Sequence, residues 1–234
     1  MKKNPNQAFS RAVVSNQPGI HDKLEERVRR HLAAPFRKPY ADHNRRAFDQ
    51  AQQWLKQTQL DGRPLVLDSF CGVGESTSRL AKLYPDCAII GVDKSAARLE
   101  KHQAHAVQSR DNYLLIRADV DDFWRLAVDA GWRLQRHFLL YPNPWPKSSQ
   151  LQYRVHGSPL FPSLLALGGE VELRSNWPIY VEEFAQALRL AGYDARTERY
   201  HGETLTPFER KYRRAEQVIW RCQCLLEKAS PASL

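Results

Sequence analysis

Cysteine is scarce in this chain, methionine nearly absent, and long apolar runs are missing. Four cysteines, Cys71, Cys87, Cys222 and Cys224, are spread over 234 residues. That is too few, in too long a chain, for the disulfide framework of a small secreted module. Cys222-x-Cys224 lacks the C-x2-C spacing of a zinc site. It lies in an alternating apolar run, which predicts one thiol in the core and the other nearer the surface. His21, His31 and His43 also lack ligand spacing and read as surface residues, so no structural metal is expected. No stretch approaches the ~20 apolar residues that cross a bilayer. The basic start Met1-Lys2-Lys3 has no apolar block behind it, as a secretory signal would. A membrane protein is excluded and export disfavoured; free thiols in the reducing cytoplasm are expected.

Charge of one sign is also short. The chain carries 35 Lys+Arg against 26 Asp+Glu, a formal net charge of +9. Residues 1–60 hold 12 basic and 5 acidic side chains, whereas residues 61–234 hold 23 and 21. A basic N-terminal arm with helices, 1–60, thus precedes a nearly neutral domain, 61–234. Such an arm suits a polyanion, because phosphate contacts release counterions. It is equally consistent with a solvated surface. Oligomeric state, monomer or homodimer, leaves no mark in the sequence.

Periodicity divides the chain further. Residues 1–20 read as irregular. Leu24, Val28 and Leu32 share one face of a helix over 22–34. Ala47, Ala51, Trp54 and Leu55 share the apolar side of a second helix, 44–57. The period then changes. Strands are predicted at 64–68, 88–93, 113–119, 137–141 and 170–175, alternating with helices at 76–84, 95–109, 121–130 and 178–191. A partly helical stretch ends at Gly168-Gly169. Two final strand-like runs, 194–200 and 217–225, have no clear helix between them and suggest an antiparallel pair at one edge. Alternating strands and helices imply a doubly wound, mostly parallel α/β sheet, here of seven strands.

The strongest local signal is Val66-Leu67-Asp68-Ser69-Phe70-Cys71-Gly72-Val73-Gly74-Glu75-Ser76-Thr77, a strand running through a small-residue turn into a helix. Gly72 and Gly74 can take positive φ and let a ligand approach the main chain. Asp93, 19 residues after Gly74, ends the next strand, where a carboxylate accepts ribose hydroxyls. Asp119 ends the third, placed for an adenine amino group. The dinucleotide fingerprint wants a third glycine where Thr77 stands. Asp68 and Glu75 would repel a pyrophosphate but welcome a sulfonium and an ammonium. The turn therefore favours S-adenosylmethionine over NAD.

The fourth strand runs into Tyr141-Pro-Asn143-Pro-Trp145-Pro-Lys147. Ligands of open sheets bind outside strand carboxyl ends, so Asn143 and Trp145 should share a crevice with Gly72 and Asp93. Here the chain resembles the bacterial tRNA (guanine-N7)-methyltransferases. Their F-P-D-P-W-x-K is similar to residues 141–147, their T-D-W with a following tyrosine to Ser175-Asn176-Trp177 and Tyr180, and their T-K-F-E to Thr206-Pro207-Phe208-Glu209. The resemblance runs from about Ala47 to Leu225 and implies a Rossmann-like class I methyltransferase. By that resemblance Asp68, Gly72, Gly74, Asp93 and Asp119 would contact S-adenosylmethionine. Asn143 would stand at the catalytic aspartate's place. Lys147, Asn176, Thr206, Phe208 and Glu209 would meet the acceptor, guanosine 46 of the tRNA variable loop.

Two departures stand out. Asn143 and Asn176 replace aspartates, and the family's basic run R-H-x-K-R-R after the lysine reads Ser148-Ser-Gln-Leu-Gln-Tyr-Arg154 here. Asn143-Pro-Trp also loosely resembles the N-P-P-Y motif of methyltransferases acting on exocyclic amines. The reading is an RNA methyltransferase acting at guanine N7 of tRNA. The alternatives are the same cofactor with another acceptor, or a non-catalytic RNA-binding paralogue. Asn176 reads equally as a cap for the following helix.

Overall fold

The computed structural model describes residues 12–101 and 112–227. Seven strands form one sheet: β1 (Leu65–Ser69), β2 (Ala88–Asp93), β3 (Tyr113–Arg117), β4 (Leu134–Leu140), β5 (Glu170–Ser175), β6 (Arg196–Arg199) and β7 (Trp220–Leu225). Their order is β3-β2-β1-β4-β5-β7-β6. The first five are parallel, and β7 runs antiparallel to both β5 and β6. The strand order reverses between β1 and β4, so a crevice opens at their carboxyl ends. The doubly wound seven-stranded sheet expected from the sequence is the sheet found.

Strand residues alternate between two faces. Leu67, Ile90 and Leu139 join the larger hydrophobic core. Their neighbours Val66, Ile89 and Phe138 join a smaller one. The larger core is roofed by α1 (Leu24–Ala33), α2 (Asp42–Gln57), α5 (Val120–Asp129), α6 (Phe161–Leu167) and α7 (Pro178–Leu190). On the smaller side lie Leu80 and Ala81 of α3 (Glu75–Leu83), and Leu205. The basic N-terminal helices thus share the core of the sheet domain. Val28 and Ala51 are fully buried, although Leu32, expected on the same apolar face, is exposed.

Gly91 of β2 lets α3 come close. A Cβ there would lie 2.3 Å from Thr77 Oγ1 and 2.6 Å from Leu115 Cδ2. Beside β5 the smaller face is charged. Arg174 pairs with Glu172 at 2.5 Å and with Glu209 at 2.8 Å, and its guanidinium lies 3.7 Å from the Tyr200 ring centroid.

Three expectations need correction. A helix, α8 (Pro207–Arg214), lies between β6 and β7. Its start is Thr-Pro-Phe-Glu, a capping box with proline at the first position, a helix signal in its own right. Cys222 and Cys224 are both buried; two residues apart in a strand, they share a face. The helix expected over 95–109 shows α4 (Ala96–Leu99) in its described part; residues 102–109 lie outside the described residues.

Candidate functional site

The turn after β1 is closed by local hydrogen bonds. Phe70, Gly72 and Gly74 all have positive φ (62°, 60° and 74°), an alternation that folds the chain back over the strand end. Asp68 is wholly buried beneath it and accepts from Ser76 Oγ (2.6 Å) and Thr77 Oγ1 (2.7 Å). Its other oxygen is buried without a partner. Burial dominates, pushing the carboxyl up to about 6 despite those two bonds. Thr77, which displaces the third glycine of a dinucleotide turn, thus holds Asp68 and occupies the space left by Gly91.

Asp93 links the turn to the next strand. It accepts from the Gly72 N–H (3.0 Å) and the Ser95 N–H (2.8 Å), with Arg98 at 3.4 Å. Asp119 caps α5 by accepting from the Asp121 N–H, and its own N–H donates to Asn44 Oδ1. It lines a cleft of about 310 Å³ with His43, Lys94, Arg117 and Ala118. The three acids therefore stand at three adjacent strand ends, but at different depths. Asp119 is half-buried, Asp93 is 3% exposed and Asp68 has no exposed surface.

Glu75 departs from the electrostatic expectation. Arg210 of α8 grips it with both nitrogens (2.5 and 2.7 Å), and Arg79 adds a third bond at 3.0 Å. Burial opposes its ionisation, but these arginines hold the carboxyl below the usual range. Its charge is compensated within the protein, so it offers little to a cationic ligand.

Across the crevice, Tyr141 and Trp145 both take positive φ (60° and 47°). Bulky residues rarely adopt this region, and such strain concentrates at functional loops. Asn143 and Lys147 are exposed. Prolines at 142, 144 and 146 supply no N–H, so the loop is held through its carbonyls. Arg154 donates to Trp145 O from Nε and Nη2 (both 3.1 Å) and to Lys147 O (3.2 Å). Ser15 Oγ donates to Pro146 O (2.6 Å). Three successive carbonyls are thereby fixed.

Arg154 is itself buried. It pairs with Glu183 at 2.5 Å, lies 4.9 Å from the Trp177 ring centroid and donates to Gln17 Oε1. Glu183 also meets His156 Nε2 and accepts from Gln17 Nε2 and the His21 N–H. Burial opposes the carboxylate, yet the His156 and Arg154 bonds bring Glu183 down to about 2. His156 is pushed down by burial, while its bond to Glu183 works against that shift, and Arg154 is the permanent compensating charge. The sequence offered one sign of this cluster. Glu183 sits on the apolar stripe of α7 between Tyr180 and Ala187, where a carboxylate requires a partner.

The remaining expected residues cluster on and around α8. Tyr141 packs against Phe208 (6.3 Å) and Tyr212 (5.3 Å), which brings the 141–147 loop beside the Thr206–Glu209 stretch. Phe208 is 51% exposed. Thr206 and Glu209 cap each other reciprocally, and the Glu209 carboxylate is fully buried on Arg174. Asn176 donates to Gln217 Oε1 (2.8 Å). It does not cap α7, whose Trp177 N–H donates to Ser175 Oγ. Among the described residues no cluster of potential metal ligands occurs, and no helix is long and apolar enough to cross a membrane.

The chain is similar to known proteins in sequence and in fold. A family described as "Putative methyltransferase" matches residues 62–222. A tRNA (guanine-N(7)-)-methyltransferase of Geobacillus thermodenitrificans is 25% identical over 175 residues, 70% of this chain and 80% of that protein. One from Paracoccus denitrificans is 30% identical over 142 residues, 57% of this chain and 58% of that protein. Among solved structures, the antibiotic-resistance methyltransferase Kmr superposes with a TM-score of 0.53 at 21% identity, over 75% of this chain and 92% of that one. That likeness establishes the fold. The match over 62–222 spans β1 to β7, including the glycine turn and the strained loop, and the chain belongs to this methyltransferase family.

Proposed function

We propose that this chain transfers a methyl group from S-adenosylmethionine to guanine N7 of tRNA, at guanosine 46 of the variable loop. The observation that carries this reading is spatial. The glycine turn, the strand-end acids, the Asn143–Lys147 loop and α8 converge on the carboxyl ends of β1 and β4. The residues present suit the cofactor. A Cβ on Gly72 would meet nothing within 4 Å, so the turn's face is open, and a cleft adjoins Asp119. Asp93 would hold ribose hydroxyls and Asp119 the adenine amino group. Gly72 and Gly74 would admit the amino-acid portion, and Asp68 would support the turn from beneath. Bound there, the cofactor supplies an electrophilic methyl.

Guanine N7 carries a free lone pair, so no proton need leave before attack, and catalysis is chiefly positioning. The methylated ring is cationic, and a carboxylate would stabilise it. Asn143 supplies an acceptor oxygen for the N1–H or the amino group but no charge. The exposed Phe208 ring offers a stacking face, and Lys147 a phosphate contact. Thr206 and Glu209 fix the start of α8, and Asn176 acts beside Gln217. The cytoplasm is the compartment where this substrate resides.

The test has two arms. Calorimetry with S-adenosylhomocysteine should show binding, and labelled methyl should enter bulk tRNA with chemical scission at 7-methylguanosine. Absence of binding would end the cofactor reading. Label without scission would favour a second reading, another acceptor such as an exocyclic amine, which the neutral, exposed Asn143 amide supports. Binding without label would favour a non-catalytic RNA-binding role.

A further inference from the structure

Ser15, Asn16, Gln17 and His21 precede the sheet domain by more than 40 residues, yet their polar contacts converge on one loop and its anchor. Ser15 Oγ donates to Pro146 O. Asn16 Oδ1 accepts the Ser148 N–H at 3.0 Å, and His21 Nε2 lies 3.0 Å from Ser148 Oγ. Gln17 is 7% exposed and bonds both Glu183 and Arg154, the pair that holds the flanking carbonyls. Ser15 is half-buried and Asn16 exposed, so neither contributes appreciably to the hydrophobic core. The loop needs such help. Its prolines remove three donors, and Trp145 sits at φ 47°, a conformation that persists only where its surroundings impose it.

We propose that residues 15–21 form a clamp that positions the Asn143–Lys147 loop for methyl transfer, with Ser15 and Asn16 as positioning residues. Arg154 fixes the carbonyls of 145 and 147 from inside the protein. The clamp fixes that of 146 and the amide of 148 from outside. Asn143 is exposed two residues before the first carbonyl so held, and its aim toward the acceptor base depends on both. This inference rests on the methyltransferase reading above, because the loop's aim matters only if the loop meets an acceptor.

The test is the double variant Ser15→Ala/Asn16→Ala in the full-length chain. Loss of the two hydrogen bonds that reach the loop, together with the one Ser15 Oγ accepts from the Gln17 N–H, should speed amide exchange at Ser148 by roughly 5- to 100-fold. Single-turnover transfer to tRNA should fall about 5-fold or more, while affinity for S-adenosylhomocysteine and the thermal midpoint stay near wild type. Ser15→Thr, which keeps the hydroxyl, should retain wild-type transfer. Unchanged exchange and unchanged transfer would overturn the clamp. So would cofactor affinity and thermal midpoint falling in step with transfer, since that pattern reports general destabilisation. If the wild-type protein transfers no methyl to tRNA, the acceptor reading fails, and exchange at Ser148 alone decides whether the clamp holds the loop.

Discussion

The two loops that face each other across the crevice are stabilised by different means. The turn after β1 closes mainly on nearby chain, with distant Arg210 reaching only its last residue, Glu75. Asp68 is held by residues eight and nine positions later, and Gly72 by Asp93, twenty-one positions on. The loop after β4 draws on distant chain: Ser15 and Asn16 lie some 130 residues away, and Arg154, though only seven to nine positions on, is itself anchored on α7. A donor-rich glycine turn can satisfy itself. A proline-rich loop cannot, and must recruit side chains from elsewhere to fix its carbonyls.

The sharpest way to break this contrast is Arg154→Ala. It leaves the buried Glu183 carboxylate without its arginine and takes both donors from Trp145 O, while Lys147 O keeps the Gln150 N–H. Removing one partner of a buried pair costs about 3–5 kcal/mol, and for a chain of this size the thermal midpoint should drop by roughly 10 °C, as calorimetry would show. Methyl transfer should fall more than cofactor affinity, because the turn after β1 keeps its own contacts.

Acid titration separates the two regions by sign. Glu183, held at about 2 against an ordinary 4.5, stabilises the fold fully above pH 4.5 and loses that contribution as pH falls toward 2. Asp68, raised to about 6, binds its proton more tightly folded than unfolded, so stability should rise as pH falls from 7 toward 4. Each limb is on the order of 3 kcal/mol at most. Urea midpoints between pH 7 and 2.5 should therefore pass through a maximum. Asp68→Asn should make the upper limb shallower, leaving the part due to Asp121, which burial also raises to about 6, and Glu183→Gln should flatten the lower.

Asn143→Asp tests the chemistry. Restoring a charge-assisted hydrogen bond of about 1–3 kcal/mol should raise guanine-N7 transfer roughly 5- to 150-fold, measured by scission at 7-methylguanosine. An unchanged or lower rate would mean that Asn143 serves another acceptor. The smallest effect expected is for Thr206→Ala. Loss of the cap on α8 should cost about 1 kcal/mol, read as a small drop in denaturant midpoint, while Arg174 still holds Glu209.

The same contrast explains what could be read from the sequence. The five parallel strands, the glycine turn and the acids at their ends were legible because each rests on local patterning. Helix α8 has one sequence signal, the capping box Thr206–Glu209, and it coincides with the family motif. The hub of Gln17, Arg154, His156 and Glu183 escaped because its members are scattered over more than 160 positions. Arg154, at the end of the segment that stands where the family has its basic run, is a buried anchor. Glu75 seemed to invite a cation, but its compensating arginine lies 135 residues away.

Gly91 carries a consequence for the turn after β1 from behind. Because β2 presents bare backbone at that point, α3 settles flush on the sheet and Thr77 reaches Asp68. A single methyl group there, as in Gly91→Ala, would wedge the two layers apart at the hinge of the turn. The seat of the turn after β1 is thus set by a missing side chain on the strand next door.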